Sequence, residues 1–208
     1  RLRDILRSCV DIGVHYLTLY AFSTENWTRP DSEVSFLLDL FVDYLKNELP
    51  ELDREGVRVR IIGTREGLPD HVVAAVDNME EKTAHNDRIQ MNIAFNYGGR
   101  YEILNAVREI ASEVKSGTLS AENIDEALFA AHLYTAGMPD PDLMIRTGGD
   151  QRVSNYLLYQ IAYSELYFTS NRLYWPDFSP ILFFKSILAF QKRQRRFGGL
   201  NTGGKDVS

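Results

Sequence analysis

The chain has 208 residues, and its 29 acidic and 23 basic side chains give a formal charge of −6 at pH 7. This balance argues against general nucleic-acid binding, which needs cations to neutralise phosphates. The single cysteine, Cys9, excludes an internal disulfide and a cysteine-based zinc site, and it favours the cytoplasm, a reducing compartment. No run of about 18 apolar residues is present, so no membrane-spanning helix is predicted.

The spacing of apolar residues predicts alternating helices and strands along the chain. In order, these are helix 2–12, strand 15–22, helix 32–48, strand 57–63, helix 69–85, strand 89–96, helix 98–115, strand 143–146, strand 165–169 and helix 180–196. Asn123 with Glu126 is typical of a capping box at the start of another short helix. Ser154 is expected to cap a short helix over 155–162.

This alternation defines the predicted fold. Strands separated by helices of such lengths predict an α/β fold with a mainly parallel central sheet flanked by helices. No repeat or Pro/Gly/Ser-rich linker divides the chain, so we predict a single domain over 1–199. A polar, disordered tail is predicted over 200–208.

Three polar segments follow predicted strands, at 23–30, 96–100 and 146–155, and each contains Arg and Asn. Polar residues are common in such loops. In parallel α/β sheets, however, ligands bind beyond the carboxyl ends of the strands, where these three segments should meet. We therefore predict a ligand site there.

The segment 146–155, which we call the anion loop, has the sequence RTGGDQRVSN. Gly148 and Gly149 allow backbone amides to approach a ligand closely, and a helix starting near Ser154 would favour an anion. Arg146 and Arg152 have planar guanidinium groups that suit phosphate oxygens. The pattern favours a diphosphate site, with a Gly-rich turn carrying surface arginines as the alternative. The Walker and G-x-G-x-x-G motifs are absent.

The segment 23–30 contains Ser23, Asn26 and Arg29, which could orient an anion or its leaving oxygen. Trp27 in the same loop is either a local packing anchor or a substrate contact. The helix that follows is apolar along a broad face, which suggests a polar entrance above an apolar channel.

Two other features carry predictions. Glu165 follows the anion loop. Because Mg²⁺ takes one or two carboxylates together with substrate phosphates, Glu165 is a candidate magnesium ligand. The alternative is a solvated or ion-paired glutamate.

In the last helix, Ile, Leu or Phe occupy seven of the ten positions 181–190. A helix that is apolar on more than one side must bury both, which predicts packing against a second subunit.

At these residues the sequence resembles the cis-prenyltransferases, most closely the bacterial undecaprenyl diphosphate synthases. The matching stretches are TLYAFSTENWTRP (18–30), NIAFNYGGR (92–100), DLMIRTGGDQRVSNYLLYQIAYSELYF (142–168), WPDF (175–178) and QRRFGG (194–199). The resemblance implies that family's fold, an α/β domain with a hydrophobic tunnel, and a homodimer.

The resemblance also implies a role for particular residues. Those expected to bind the diphosphate of isopentenyl diphosphate are Arg146, Arg152 and Ser154. Glu165 is expected to help bind Mg²⁺. The residues expected beside the allylic substrate are Ser23, Asn26 and Arg29, in catalytic roles, with Trp27 and Glu33. The tunnel is expected to be lined by Ala21, Leu37, Leu40, Phe41 and Ile89. Arg196 and Gly198 match an R-x-G element that reaches a partner subunit's site.

The sequence departs from the family pattern in three places. The turn before WPDF, TSNRLYWPDF (169–178), is two residues longer than usual, and we expect a surface bulge there. Asp150 stands where the bacterial pattern usually has Glu. The family's opening strand and the following loop, which supplies its principal aspartate and cradles the allylic diphosphate, have no counterpart in this sequence. From this we expect a segment to be missing upstream of Arg1, and we expect these 208 residues alone to be weakly active or inactive.

The expected activity is Mg²⁺-dependent condensation of isopentenyl diphosphate with an allylic primer such as farnesyl diphosphate, giving a long Z-polyprenyl diphosphate for cell-wall synthesis. Its lipid product implies loose contact with a membrane. One alternative is a non-catalytic subunit of a heteromeric cis-prenyltransferase. Another is a module that binds a different phosphate ligand, such as a nucleotide.

Overall fold

A computed structural model of the protein describes residues 1–170 and 173–193. The α-helices are α1 (Leu2–Asp11), α2 (Asp31–Arg54), α3 (Asp70–Thr83), α4 (Gly99–Ser116), α5 (Glu126–Ala131) and α6 (Pro180–Gln191). The strands are β1 (Tyr16–Ser23), β2 (Val57–Ile62), β3 (Ile89–Tyr97), β4 (Leu143–Arg146) and β5 (Glu165–Phe168). The predicted order of helices and strands is confirmed, except in the segment between β4 and β5. The predicted tail at 200–208 lies outside the described residues.

Among the described residues all strand pairs are parallel, as predicted, but the strands form two hydrogen-bonded sheets. The first has the order β1-β3-β2, with Leu19 and Ile61 both level with Ile93 of the central strand. The second pairs β4 with β5 and places Leu143 level with Glu165. The helical crossovers that such pairing needs are supplied by α2, α3 and the segments after β4.

Two clusters of buried apolar side chains lie on opposite faces of the strands. The larger cluster is formed by residues from α1, α2, α3 and one face of the first sheet, including Leu6, Phe41, Leu45, Val76, Met91 and Phe95. The smaller cluster consists of Ile62, Ala94, Tyr97, Met144, Tyr156 and Leu157. Met144 of β4 belongs to the smaller cluster, while its neighbour Ile145 packs against the larger one. Since alternate residues point to opposite faces, β4 continues the layer formed by the first sheet.

A buried carboxylate lies at the edge of the smaller cluster. Glu102 of α4 is only 2% exposed. It accepts hydrogen bonds from the Tyr97 hydroxyl at 2.6 Å, the Tyr134 backbone N–H at 2.8 Å and the Gln160 side-chain amide at 3.2 Å. Burial, together with the Glu102 charge, raises the pKa of Tyr97 far above its ordinary value, so its hydroxyl keeps its proton. These bonds connect β3 and α4 to the segments before and after β4.

Helix α2 is longer than the sequence predicted, because it continues through Pro50 to Arg54. Proline normally interrupts a helix by removing a hydrogen-bond donor and clashing with the preceding turn. Here the last turns are stabilised from outside: Leu52 is fully buried, and Arg7 of α1 contacts Glu51 and Glu55 at 3.3 and 2.6 Å. Tertiary contacts therefore override the local signal.

Two predictions about helix starts were wrong. The capping box of Asn123 and Glu126 is not formed, because Asp125 caps α5 by accepting a hydrogen bond from the Leu128 N–H at 2.8 Å. Residues 155–162 form consecutive turns instead of the short helix that Ser154 was expected to cap. Ser154, Asn155 and Leu157 have φ values of +49°, +59° and +45°, which a right-handed helix does not accommodate.

The last helix, α6, ends at Gln191, five residues before the predicted end at Arg196. Lys192 and Arg193 follow as a turn, and positions 194–196 lie outside the described residues. Ile181 and Leu188 are 68% and 55% exposed, while Phe183 on the opposite side is buried. In the described part of the chain, no helix is long and apolar enough to cross a bilayer.

Candidate active site

An open cavity of about 580 Å³ lies at the carboxyl ends of β1 and β3, beside the anion loop. It is lined by Tyr20, Ser23, Glu25, Arg100, Val153, Ser154, Asn155 and Leu158. All three polar segments that follow predicted strands contribute to this lining. The structure therefore brings the predicted Ser23 and Ser154 to one cavity. The sequence did not single out Tyr20, Glu25, Arg100 and Asn155 as residues that line this cavity, although the last three lie inside its predicted polar segments.

The anion loop brings its predicted residues together, with both arginines on one carboxylate and Ser154 beside Arg146. Arg146 donates to the Ser154 hydroxyl at 2.7 Å and to Asp150 Oδ2 at 2.9 Å, and Arg152 donates to the same Asp150 oxygen at 2.8 Å. Arg146 also contacts the Arg152 carbonyl oxygen. Gly148 and Gly149 have φ values of +90° and +82°, which glycine adopts without strain. Asp150 thus occupies the position of an internal anion between two guanidinium groups.

The 23–30 loop contains a 3-10 helical turn over Thr24–Thr28, and some of its polar groups bond within the loop while others contact neighbouring segments. The Ser23 N–H donates to the Asn26 side-chain oxygen at 2.8 Å. Arg29 contacts Glu33 at 2.5 Å, one turn along the chain. Ser23 and Asn26 are thus paired within the loop, and Arg29 is paired with Glu33 in the first turn of α2.

Trp27 is attached to the protein by its ring nitrogen. Its N–H donates to the Asn96 side chain at 2.7 Å, and its ring meets Phe22 edge-on at 5.6 Å. It remains 37% exposed. Asn96 has a φ of +50° and also donates to the carbonyl oxygens of Thr64 and Glu66. Trp27 thus packs locally, as the packing-anchor alternative predicts, and its contact with substrate stays a prediction.

Tyr20 forms the wall of the cavity between the two loops. Its ring stacks on Tyr156 with centroids 4.5 Å apart, and its hydroxyl lies 3.4 Å from the Ser154 carbonyl oxygen. Burial raises the pKa of Tyr20 to about 12, so the phenol is neutral at physiological pH. The neutral hydroxyl donates its one proton to the Ser154 carbonyl oxygen and so contacts the anion loop without adding a negative charge.

The predicted tunnel residues are spread from the core to the surface. Phe41 stacks on Phe95 at 3.7 Å and Ile89 is 1% exposed, both within the larger cluster. Leu37 is partly buried against that cluster, whereas Leu40 is 53% exposed on the same helix. Ala21 is exposed and falls between the paired residues Tyr20 and Phe22, where the register with β3 shifts.

Glu165, the predicted metal ligand, lies at the start of β5 and is paired with Arg193 at 2.6 Å. The strand register places it three positions from the level of Arg146, about 10 Å along the sheet. In residues 1–170 and 173–193 no group of three or more metal-ligating side chains occurs. The available donors thus fit Mg²⁺ only if the ion brings phosphate and water ligands of its own, since one carboxylate then suffices. The predicted Arg196 and Gly198 lie outside the described residues.

This fold and site define an α/β protein with an open cavity at the carboxyl ends of its strands, beside a loop in which two arginines contact one carboxylate. A family model described as "Putative undecaprenyl diphosphate synthase" matches residues 1–198. An isoprenyl transferase of Shouchella clausii (strain KSM-K16) is 48% identical over 199 residues, which span 96% of this chain and 77% of the relative.

Two solved structures are similar over 95% of this chain. Lavandulyl diphosphate synthase from Lavandula x intermedia, in complex with dimethylallyl diphosphate, superposes with a TM-score of 0.90 at 34% identity over 85% of its own chain. A probable undecaprenyl diphosphate synthase from Campylobacter jejuni gives a TM-score of 0.83 at 35% identity over 90% of its chain. The chain belongs to the undecaprenyl diphosphate synthase family of cis-prenyltransferases and is a transferase.

Proposed function

We propose that the protein elongates a prenyl chain by condensing isopentenyl diphosphate with an allylic diphosphate, farnesyl diphosphate being the expected primer. The product would be a long Z-polyprenyl diphosphate such as undecaprenyl diphosphate, a carrier-lipid precursor for cell-wall synthesis. The observation that carries the proposal is that Arg146 and Arg152 both donate to the Asp150 carboxylate, with the Ser154 hydroxyl held beside Arg146. An oxygen anion already lies there, and a diphosphate offers the same chemistry with more charge.

In the proposed complex, the diphosphate of isopentenyl diphosphate replaces Asp150 as the acceptor for both guanidinium groups. Arginine forms paired hydrogen bonds with phosphate oxygens, and the Ser154 hydroxyl is held beside Arg146 at 2.7 Å. Binding at this end leaves the alkene of the substrate directed along the cavity toward the 23–30 loop.

The allylic diphosphate is assigned to the 23–30 loop, where Ser23, Asn26 and Arg29 would contact it and its leaving oxygen. Trp27 and Glu33 are assigned to the same substrate. The relative bound to dimethylallyl diphosphate, itself an allylic diphosphate, supports this substrate class. The growing chain would enter the apolar region lined by Ala21, Leu37, Leu40, Phe41 and Ile89.

The reaction breaks the allylic C–O bond, and diphosphate leaves with the bonding electron pair. The alkene of isopentenyl diphosphate attacks the allylic carbon and forms the new C–C bond. The attack leaves a positive charge on the tertiary carbon of the isopentenyl unit, and transfer of a proton from the neighbouring carbon to the released diphosphate gives the new Z double bond. Cationic groups aimed at the departing oxygens stabilise the charge that develops, which is usually the largest catalytic contribution.

We further propose that Mg²⁺ enters with a diphosphate and that Glu165 is its protein ligand, after exchange with Arg193. When bound, the ion would neutralise charge on the departing diphosphate. We also propose a cytoplasmic homodimer with loose membrane contact through its lipid product. The exposed Ile181 and Leu188 of α6 support the dimer, to which Arg196 and Gly198 would contribute an R-x-G element.

The test is incorporation of radiolabelled isopentenyl diphosphate by the protein expressed as its complete reading frame. Farnesyl diphosphate is the primer, Mg²⁺ or EDTA is added, and product length is measured. We expect Mg²⁺-dependent elongation, reduced at least about tenfold by Arg152→Ala through loss of a phosphate contact. The exposed Arg54→Ala, whose guanidinium contacts Glu51 at the end of α2, is the matched control. Absence of elongation, with calorimetry showing tight ATP binding and no isopentenyl diphosphate binding, would overturn the proposal.

A further inference from the structure

Asn155 contacts other segments of the chain through three polar groups: its carbonyl oxygen, its side-chain oxygen and its side-chain amide. Its carbonyl oxygen accepts from the Gly99 N–H at 2.8 Å, and its side-chain oxygen accepts from the Arg100 N–H at 2.9 Å. Its side-chain amide donates to Glu25 at 2.6 Å. Asparagine is among the few residues that adopt its φ of +59° without large strain.

The first two contacts complete the amino end of α4. The first N–H groups of a helix have no partner within the helix, and Gly98 at the cap position has no side chain to supply one. Asn155 supplies two acceptors from 55 positions along the chain. The N–H groups at this helix end are therefore used to hold the anion loop in place.

The glycines at 98 and 99 allow this approach. A Cβ at Gly98 would lie 2.5 Å from the Thr24 hydroxyl and 3.1 Å from the Asn155 amide nitrogen. A Cβ at Gly99 would lie 2.9 Å from Leu158 and 3.0 Å from the Asn155 carbonyl oxygen. The 23–30 loop, the anion loop and α4 thus meet at a point where no side chain fits.

The third contact links the anion loop to the 23–30 loop. Partial burial acts to raise the pKa of Glu25, but hydrogen bonds from Asn155, its own backbone N–H, Thr24 and Ser23 outweigh it and lower the pKa. Glu25 is therefore ionised at neutral pH, and a hydrogen bond to a charged acceptor is roughly twice as strong as one between neutral groups. Asn155 directly follows Ser154, while Glu25 directly precedes Asn26.

We propose that Asn155 is a positioning residue that, through its hydrogen bond to Glu25, sets the distance between the isopentenyl diphosphate site on the anion loop and the allylic site on the 23–30 loop. This inference rests on the proposed function. Asn155 and Glu25 act through Ser154 and Asn26 and do not exchange protons with substrate. Losing the link changes how the two substrates face each other more than it changes either site's chemistry.

The test exchanges donor and acceptor across the link. Asn155→Asp keeps an acceptor for the Arg100 N–H but places a carboxylate against Glu25, and Glu25→Gln then restores a donor to face it. We expect Asn155→Asp to lower kcat about tenfold with a smaller change in KM for either substrate, and the double variant to recover to within about threefold. The control is Asn105→Asp, which breaks a 2.7 Å bond to Glu109 on the exposed face of α4 and should change neither constant.

The possible outcomes distinguish failure of this inference from failure of the proposed function. If the wild-type protein elongates prenyl chains but Asn155→Asp does so equally well, or the double variant shows no recovery, the inference is wrong and the proposed function stands. If the wild-type protein does not elongate, the proposed function fails first. If Asn155→Asp does not fold, Glu25→Leu breaks the same bond at an exposed residue and leaves the α4 contacts intact. A kcat unchanged in Glu25→Leu would likewise overturn the inference.

Discussion

The two apolar clusters are built differently. The larger cluster is formed by aliphatic and aromatic side chains of α1–α3 and one face of the first sheet. The smaller cluster has few members, and the buried Glu102 and Gln160 lie beside it. Apolar contacts are non-directional and favour a compact shape, whereas hydrogen bonds require defined angles. The larger cluster therefore provides the scaffold, and the smaller one orients the segments that carry the anion loop.

The largest loss of stability should come from removing the buried carboxylate of Glu102. Glu102→Ala leaves the Tyr97 hydroxyl and the Tyr134 N–H without their acceptor, and each such loss costs about 1–3 kcal/mol. We expect the free energy of unfolding to fall by about 3–5 kcal/mol in urea titrations.

An exposed pair of the same kind provides the control for this variant. The Tyr101 hydroxyl donates to Glu66 at 2.7 Å at the surface, so Glu66→Ala should change stability by less than about 0.5 kcal/mol. Equal losses in the two variants would show that the buried network has no special role.

Conservative substitutions should distinguish the two clusters further. Met91→Leu in the larger cluster nearly conserves volume and should cost less than about 1.5 kcal/mol. Glu102→Gln conserves shape but turns an acceptor into a donor that faces Tyr97 or the Tyr134 N–H, at a cost of about 1–3 kcal/mol. Hydrogen exchange should show opening of the segment after β4 only in Glu102→Gln. Equal exchange in both variants would contradict the distinction.

The affinity of the anion loop for a diphosphate should depend on charge more than on packing. Asp150 contacts both arginines and competes with a diphosphate for the same N–H groups. We expect Asp150→Asn to bind inorganic pyrophosphate about three- to tenfold more tightly, with a steeper dependence on salt. Calorimetry across a range of salt concentrations measures this. Weaker binding would mean that Asp150 is needed to hold the arginines in place.

The smallest expected effect is on the pH dependence of stability, and it comes from His132, which lies away from the cavity. Hydrogen bonds to the Leu128 carbonyl oxygen and to Glu113 raise the pKa of His132. Because the folded-state pKa is the higher one, the stabilisation is complete below the ordinary pKa of about 6.5 and is lost as pH rises through the folded-state value. The melting temperature of the wild type should exceed that of His132→Gln slightly in acid, and the difference should vanish in base. A difference that grows with pH would contradict this assignment.

The sequence predicted most of the fold because helices such as α4 and strands such as β3 carry strong local periodicity. It could not predict that α2 passes through Pro50, since the contacts from Arg7 come from a different helix. Arg146, Arg152 and Ser154 could be predicted as a group because they share one loop. Asn155 could not be assigned its role, because its partners Glu25 and Gly99 are distant in sequence and meet only in the folded chain.

The central claim is that the anion loop is the isopentenyl diphosphate site. Calorimetric titration of isopentenyl diphosphate into the wild-type protein and into Arg146→Ala tests it most directly, with Arg54→Ala as the control. We expect binding by the wild type and the control, and at least about tenfold weaker binding by Arg146→Ala, because a charge-assisted contact is lost. Equal affinity in wild type and Arg146→Ala would contradict the claim and place the diphosphate elsewhere.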